Sequence, residues 1–85
     1  MTGMRVIFSA EGLTGYQELP RTIRARVDAI VERLADWPQV SGAKPMRGDL
    51  AGHWRIRTGD WRVLFQVRAD VIIVRIDHRS RIYED

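Results

Sequence analysis

Residues 53–77 read HWRIRTGDWRVLFQVRADVIIVRID, and this stretch decides the fold. Over 53–58 apolar and polar side chains alternate, so Trp54 and Ile56 face one way while His53, Arg55 and Arg57 face the other. Gly59-Asp60 supplies a two-residue hairpin turn. Alternation resumes over 61–68, with Trp61, Val63, Phe65 and Val67 inward and Arg62, Leu64, Gln66 and Arg68 outward. Ala69-Asp70 makes the next tight turn. Val71 to Asp77 is almost all apolar, the pattern of a strand buried on both faces. Three strands joined by two short turns predict an antiparallel meander.

Upstream the period changes. Ile23, Val27, Ile30, Val31 and Leu34 follow helical spacing from Arg21 onward, with Arg24, Arg26, Asp28, Glu32 and Arg33 on the other face. Pro20 suits the first helical position. Pro38 ends the helix after Asp36 or Trp37, because the residue before proline avoids the helical region. Residues 9–19 hold Gly12 and Gly15, so any helix there is expected to be weak or broken. Met4 to Phe8 is a short strand, and 40–51, with Gly42, Pro45 and Gly48, reads as an irregular connection. The tail from His78 to Asp85 is polar with one aromatic, Tyr83. The order β-α(α)-β-β-β predicts a two-layer α+β fold: a mainly antiparallel twisted sheet on one or two helices, the first strand at an edge.

At 85 residues, the chain is expected to form one domain spanning 1–85. A hydrophobic fraction of 45% argues against disorder. Zero cysteines exclude disulfides, a thiol nucleophile and thiolate metal sites. His53 and His78 are too few for a histidine cage. No apolar run approaches the roughly 18 residues of a membrane span, and Met1 to Ala10 lacks the layout of a signal peptide. The expected location is the cytoplasm, with no membrane partner.

Charge is distributed unevenly. Of 14 basic residues, 13 are arginine and one, Lys44, is lysine. Residues 1–43 sum to zero, whereas 44–81 carry nine basic and four acidic side chains. A basic half is the footprint of a polyanion binder; it is equally what a solvated, arginine-rich surface looks like, and composition leaves both open. Position says more. Arg55 and Arg57, two apart on one strand, share a face about 6.7 Å apart, and Arg62 joins that face beyond the hairpin. Arg79 follows the last strand and Tyr83 comes four residues later. Such guanidinium groups bind phosphate oxygens in pairs, and an aromatic ring stacks on exposed bases. Neither 53–58 nor 61–68 contains an acid, whereas a merely soluble surface mixes signs.

The run Lys44-Pro45-x-Arg47-Gly48-x-Leu50-x-Gly52-x-Trp54-Arg55-Ile56-Arg57-x-Gly59-Asp60-Trp61-Arg62-Val63, with the ending Val74-x-Ile76-x-His78-Arg79-x-x-Ile82-Tyr83, resembles the RelE/ParE superfamily of toxins of bacterial type II toxin–antitoxin systems. The resemblance implies a microbial-ribonuclease-like sheet. It also implies a ribosome-dependent mRNA interferase that cuts messenger in the A site and is silenced by an acidic, helical antitoxin encoded next to it. The basic cluster characteristic of RelE-like members falls on Arg55, Arg57, Arg62 and Arg79, with Tyr83 for base stacking. ParE-like members, which bind DNA gyrase, generally lack that cluster.

One departure bears on mechanism. RelE-like members carry lysines at the positions of Arg55 and Arg57, and one of those lysines is proposed as the general base. Cleavage requires the 2′-hydroxyl to attack the adjacent phosphate, with a base taking its proton and an acid protonating the 5′-oxygen. Arginine is a poor base near neutrality, and histidine suits either task. His78 beside Arg79, and His53 on the strand face of Arg55 and Arg57, are therefore candidates. The alternative is catalysis by arginine electrostatics and positioning alone. No metal or other cofactor is called for. Three readings stand: a toxin ribonuclease, a gyrase inhibitor without ribonuclease activity, and a non-catalytic RNA-binding module.

Overall fold

The computed structural model describes residues 3–82. Strand β1 (Val6–Phe8) leads into helices α1 (Ala10–Gln17) and α2 (Arg21–Leu34). Strand β2 (Lys44–Pro45), a 3-10 turn at Gly48–Leu50, and strands β3 (Trp54–Thr58), β4 (Trp61–Val67) and β5 (Val71–His78) follow. The five-stranded sheet has the order β1-β5-β4-β3-β2. All its pairings are antiparallel except β1 with β5, which is parallel. The α+β class, the meander and the edge position of β1 agree with the sequence reading; β2 is an added edge strand within the stretch expected to be irregular. No helix among the described residues is long and apolar enough to cross a membrane.

Helix α2 lays Val27, Ile30 and Leu34 against Ile56, Val63, Phe65, Val71, Ile73 and Ile76, forming the main core. Pro20 serves as its N-cap rather than its first helical residue. The helix ends at Leu34, and single turns carry the chain on to Trp37, whose N–H bonds the Leu34 carbonyl at 3.1 Å. The Trp37 ring closes one side of the core, edge-on to Trp54 and Phe65 at 4.8 and 5.3 Å between centroids.

Helix α1 forms although Gly12 and Gly15 lower its intrinsic propensity. Ser9 caps it, accepting the Gly12 N–H at 3.0 Å, and donates from its hydroxyl to the Val74 carbonyl. The two glycines are what let the helix lie directly on the backbone of β5. A Cβ at Gly12 would collide with the Ile73 carbonyl oxygen, and one at Gly15 would lie 2.6 Å from that of Ile76. Tertiary contact overrides propensity here.

Strand β5 departs from simple alternation. Leu64 pairs with Arg75 and Phe65 with Ile73, so Val74 is an extra residue on β5, a β-bulge. Ile73 and Ile76 are three apart and both face the core because of it. The strand is buried on one face and half-covered on the other, not buried on both as its composition suggests. The other face carries a small second apolar cluster of Met46, Leu64 and Ile82, flanked by Leu50 and Val74.

Candidate nucleic-acid interface

Because directly opposed residues point to the same face, the ladder defines two rows on the face away from α2. One runs Lys44–Arg55–Leu64–Arg75 and the next Arg57–Arg62–Asp77. Arg57 and Arg62 are direct cross-strand partners, a spacing at which Cβ atoms lie about 4.5–5.5 Å apart and like charges disfavour each other. Arg57 is exposed.

Arg55 and Arg62 are not laid out in solvent, as the alternation alone suggests: they are only 6% and 7% exposed. The Arg62 guanidinium turns back to the hairpin, donating from Nη1 to the carbonyls of Gly59 and Trp61 at 3.0 and 3.1 Å. Leu64, opposite Arg55 and expected outward, is 1% exposed inside the second cluster. The long stems of these arginines are thus packed, which holds their head groups in defined places.

Arg79 lies just beyond β5. Its backbone N–H bonds the Asp60 carbonyl at 2.7 Å and its Nε lies 3.5 Å from the Asp60 carboxylate. Its side chain remains 64% exposed. Arg62 and Arg79 therefore converge on one hairpin, the turn in which Gly59 adopts φ +59°. Tyr83 lies outside the described residues.

The structure does not bring His78 to this cluster. Continuing the alternation of Val71 and Ile73 would place His78 on the arginine face; the bulge at Val74 reverses the end of β5. Asp77 takes that face opposite Arg62, and His78 pairs with Trp61 on the core side, the two rings edge-on at 5.5 Å. The His78 Nδ1 lies 3.2 Å from the Ser80 backbone N and 2.9 Å from its hydroxyl. His53 precedes β3 and its Nδ1 is 3.1 Å from the Leu50 carbonyl, which also accepts the His53 backbone N–H. Both rings serve local chain reversals.

Asp77 is the acid that the segments 53–58 and 61–68 do not reveal. Its carboxylate accepts from Arg81 Nε at 2.7 Å, from the His78 N–H at 2.8 Å and from Arg75 Nη2 at 3.2 Å. Burial pushes its pKa up, but the hydrogen bonds from Arg81, the His78 N–H and Arg75 outweigh this and hold it below the ordinary carboxylate value. Arg75 and Arg81 also line, with Arg47, Leu50 and Ile82, a groove of about 360 Å³ beside the second cluster. Among the described residues no three His, Asp or Glu side chains gather as metal ligands would. Lys44, opposite Arg55, is the further basic residue of this face; the signal for it lay in the register of a two-residue strand.

A family model described as the ParE toxin of type II toxin–antitoxin system, parDE, matches residues 8–83. The chain belongs to the RelE/ParE superfamily of toxins. It is 37% identical over 67 residues to Toxin RelG of Mycobacterium tuberculosis, covering 75% of this chain and 76% of that one. Among solved structures, the RelBE2 toxin–antitoxin complex of M. tuberculosis matches with a TM-score of 0.77 and 29% identity, over 94% of this chain and 95% of that one. The isolated RelE toxin of E. coli shares the fold at a TM-score of 0.74 and 16% identity, over 88% and 83% of the two chains. The matched span of this RelE/ParE toxin takes in both rows of the basic face.

Proposed function

We propose that this toxin is an endoribonuclease that cleaves messenger RNA in the ribosomal A site, the RelE-like activity within its superfamily. The observation that carries this reading is the direct opposition of Arg57 and Arg62, flanked by Arg55 and adjoined by Arg79 at the hairpin. Guanidinium groups at directly opposed strand positions are spaced to share one phosphate, which accepts paired hydrogen bonds from them. Asp77, the acid of the same row, is engaged by Arg75 and Arg81.

In this reading Arg57 and Arg62 hold the scissile phosphate and stabilise the charge that builds on it as the 2′-oxygen attacks. Arg79 holds the adjoining strand, and Tyr83 supplies the stacking ring. The ribosome fixes the messenger in line for attack. The toxin acts in the cytoplasm. An antitoxin whose acidic, helical segment covers this face silences it, in keeping with the M. tuberculosis relative captured as a toxin–antitoxin complex.

Purified toxin incubated with programmed ribosomes tests the proposal: cleavage confined to the A-site codon is expected. The ParE description of the family model favours one rival, gyrase inhibition. Intact messenger together with gyrase-dependent DNA breaks would establish that rival instead. Retention of RNA with neither product would leave a binding module.

A further inference from the structure

Cleavage by 2′-hydroxyl attack expels a 5′-oxygen, and that oxygen departs far more readily with a proton than as a bare alkoxide. The arginines of the face cannot supply it, since a guanidinium stays protonated in proteins. His78 is on the core side against Trp61, and the Nδ1 of the half-buried His53 is engaged by the Leu50 carbonyl at 3.1 Å. Asp77, the carboxylate directly opposite Arg62, is held charged by Arg75 and Arg81 and has no proton to give. One described side chain of this face carries a transferable proton in its ordinary charged form. It is Lys44, the chain's single lysine.

Its position suits the task. Lys44 is exposed on β2, the edge strand, with its Cα directly opposite that of Arg55. It lies diagonal to Arg57, a relationship in which Cβ atoms are about 7–8 Å apart, within reach of long side chains. A strand held at Arg57 and Arg62 has Lys44 along one flank of the phosphate and the hairpin with Arg79 along another.

We infer that Lys44, placed opposite Arg55 at the β2 edge of the arginine face, is the general acid that protonates the departing 5′-oxygen. The inference rests on the ribonuclease reading above. The 2′-oxygen forms its bond to phosphorus as the bond to the 5′-oxygen breaks, and the 2′-hydroxyl proton leaves to solvent water. Lys44 passes one proton from its ammonium to the 5′-oxygen and regains one from water. The products are a 2′,3′-cyclic phosphate and a 5′-hydroxyl, with no net proton consumed.

The test compares two messengers on programmed ribosomes under single turnover: an ordinary one, and one with sulfur in place of the bridging 5′-oxygen at the cut. A thiolate leaves without protonation, so it bypasses a general acid. Lys44→Gln and Lys44→Arg are both expected to slow cleavage of the ordinary messenger by about 10²–10³-fold, within the range for general-acid catalysis, with unchanged ribosome affinity. Both should cut the sulfur-containing messenger nearly as fast as the wild type. Equal slowing on both messengers, or full activity of Lys44→Arg on the ordinary one, overturns the role of Lys44 and leaves the ribonuclease reading standing. Wild-type toxin that cuts neither messenger overturns the ribonuclease reading itself.

Discussion

On one face of the sheet, Ile56, Val63, Phe65, Ile73 and Ile76 meet Val27, Ile30 and Leu34 of α2. On the other, the same strands present Arg55, Arg57, Arg62 and Asp77, interrupted by the small cluster around Leu64. Both faces come from one alternation, but they answer to different demands. The first is selected by packing, where each buried side chain lowers the free energy of the fold. The second sets Arg57 directly opposite Arg62, one exposed and the other buried and bonded to the hairpin carbonyls. If the second face binds the ligand proposed above, single substitutions on each face should separate residues that hold the protein together from residues that serve binding.

The largest effect is expected on the packed face. Phe65 is fully buried at the centre of β4 and meets Trp37 edge-on. Phe65→Ala should lower the free energy of unfolding by about 3–5 kcal/mol through the cavity it leaves, read from the urea midpoint. Activity of whatever fraction remains folded should change little. A folded, stable variant with abolished cleavage would erase the distinction between the faces.

Arg62 belongs partly to both. Its guanidinium bonds the Gly59 and Trp61 carbonyls, so Arg62→Ala should destabilise by about 1–3 kcal/mol as a charged hydrogen-bond donor is lost. It should also slow ribosomal cleavage by about 10²-fold or more. Arg57, exposed and directly opposite, provides the contrast: Arg57→Ala should leave the urea midpoint unchanged or slightly raised while slowing cleavage by a similar factor. The pair of measurements, stability and single-turnover rate, distinguishes a side chain that braces the hairpin from one that only faces the phosphate. Matching stability losses in both would show that the opposed arginines are a structural unit.

How much of this was legible in the sequence follows from where simple periodicity holds. The strands 53–58 and 61–68, the hairpin at Gly59-Asp60 and the helix from Arg21 were readable because period 2 and period 3.6 run through them without interruption. The rest required long-range information. Gly12 and Gly15 argue against a helix until the β5 backbone is placed against them. Strand β2 is two residues long, too short to alternate visibly, so the position of Lys44 beside Arg55 was hidden. Val74 supplies no local signal of a bulge, being one apolar residue in an apolar run. Yet that residue exchanges His78 for Asp77 on the basic face. The strand positions Arg55, Arg57 and Arg62 were readable by alternation, whereas the burial of Arg55 and Arg62 and the orientation of His78 were not.

The smallest effect, and the one most dependent on pH, belongs to Asp77. Its carboxyl is held below the ordinary value by Arg81, the His78 N–H and Arg75, against the opposing push of burial. The unfolded chain therefore takes up this proton more readily than the folded one, and stability rises with pH across the interval between the two pKa values. The contribution is complete above the ordinary aspartate value of about 4 and disappears as pH falls through the lower, folded value. Asp77→Asn keeps the shape but loses the charge, and should cost about 1–2 kcal/mol near neutrality, towards the lower end for charge-assisted bonds because Arg81 is largely exposed. Urea unfolding of both proteins from about pH 7 to pH 3 should show the two curves converging as the wild-type carboxylate protonates. The same substitution releases Arg75 and Arg81 beside Arg62, so retention on RNA should rise and become more sensitive to salt. If instead the stability gap persists unchanged into acid, Asp77 acts through packing rather than charge. The basic face would then owe its order to the second apolar cluster around Leu64.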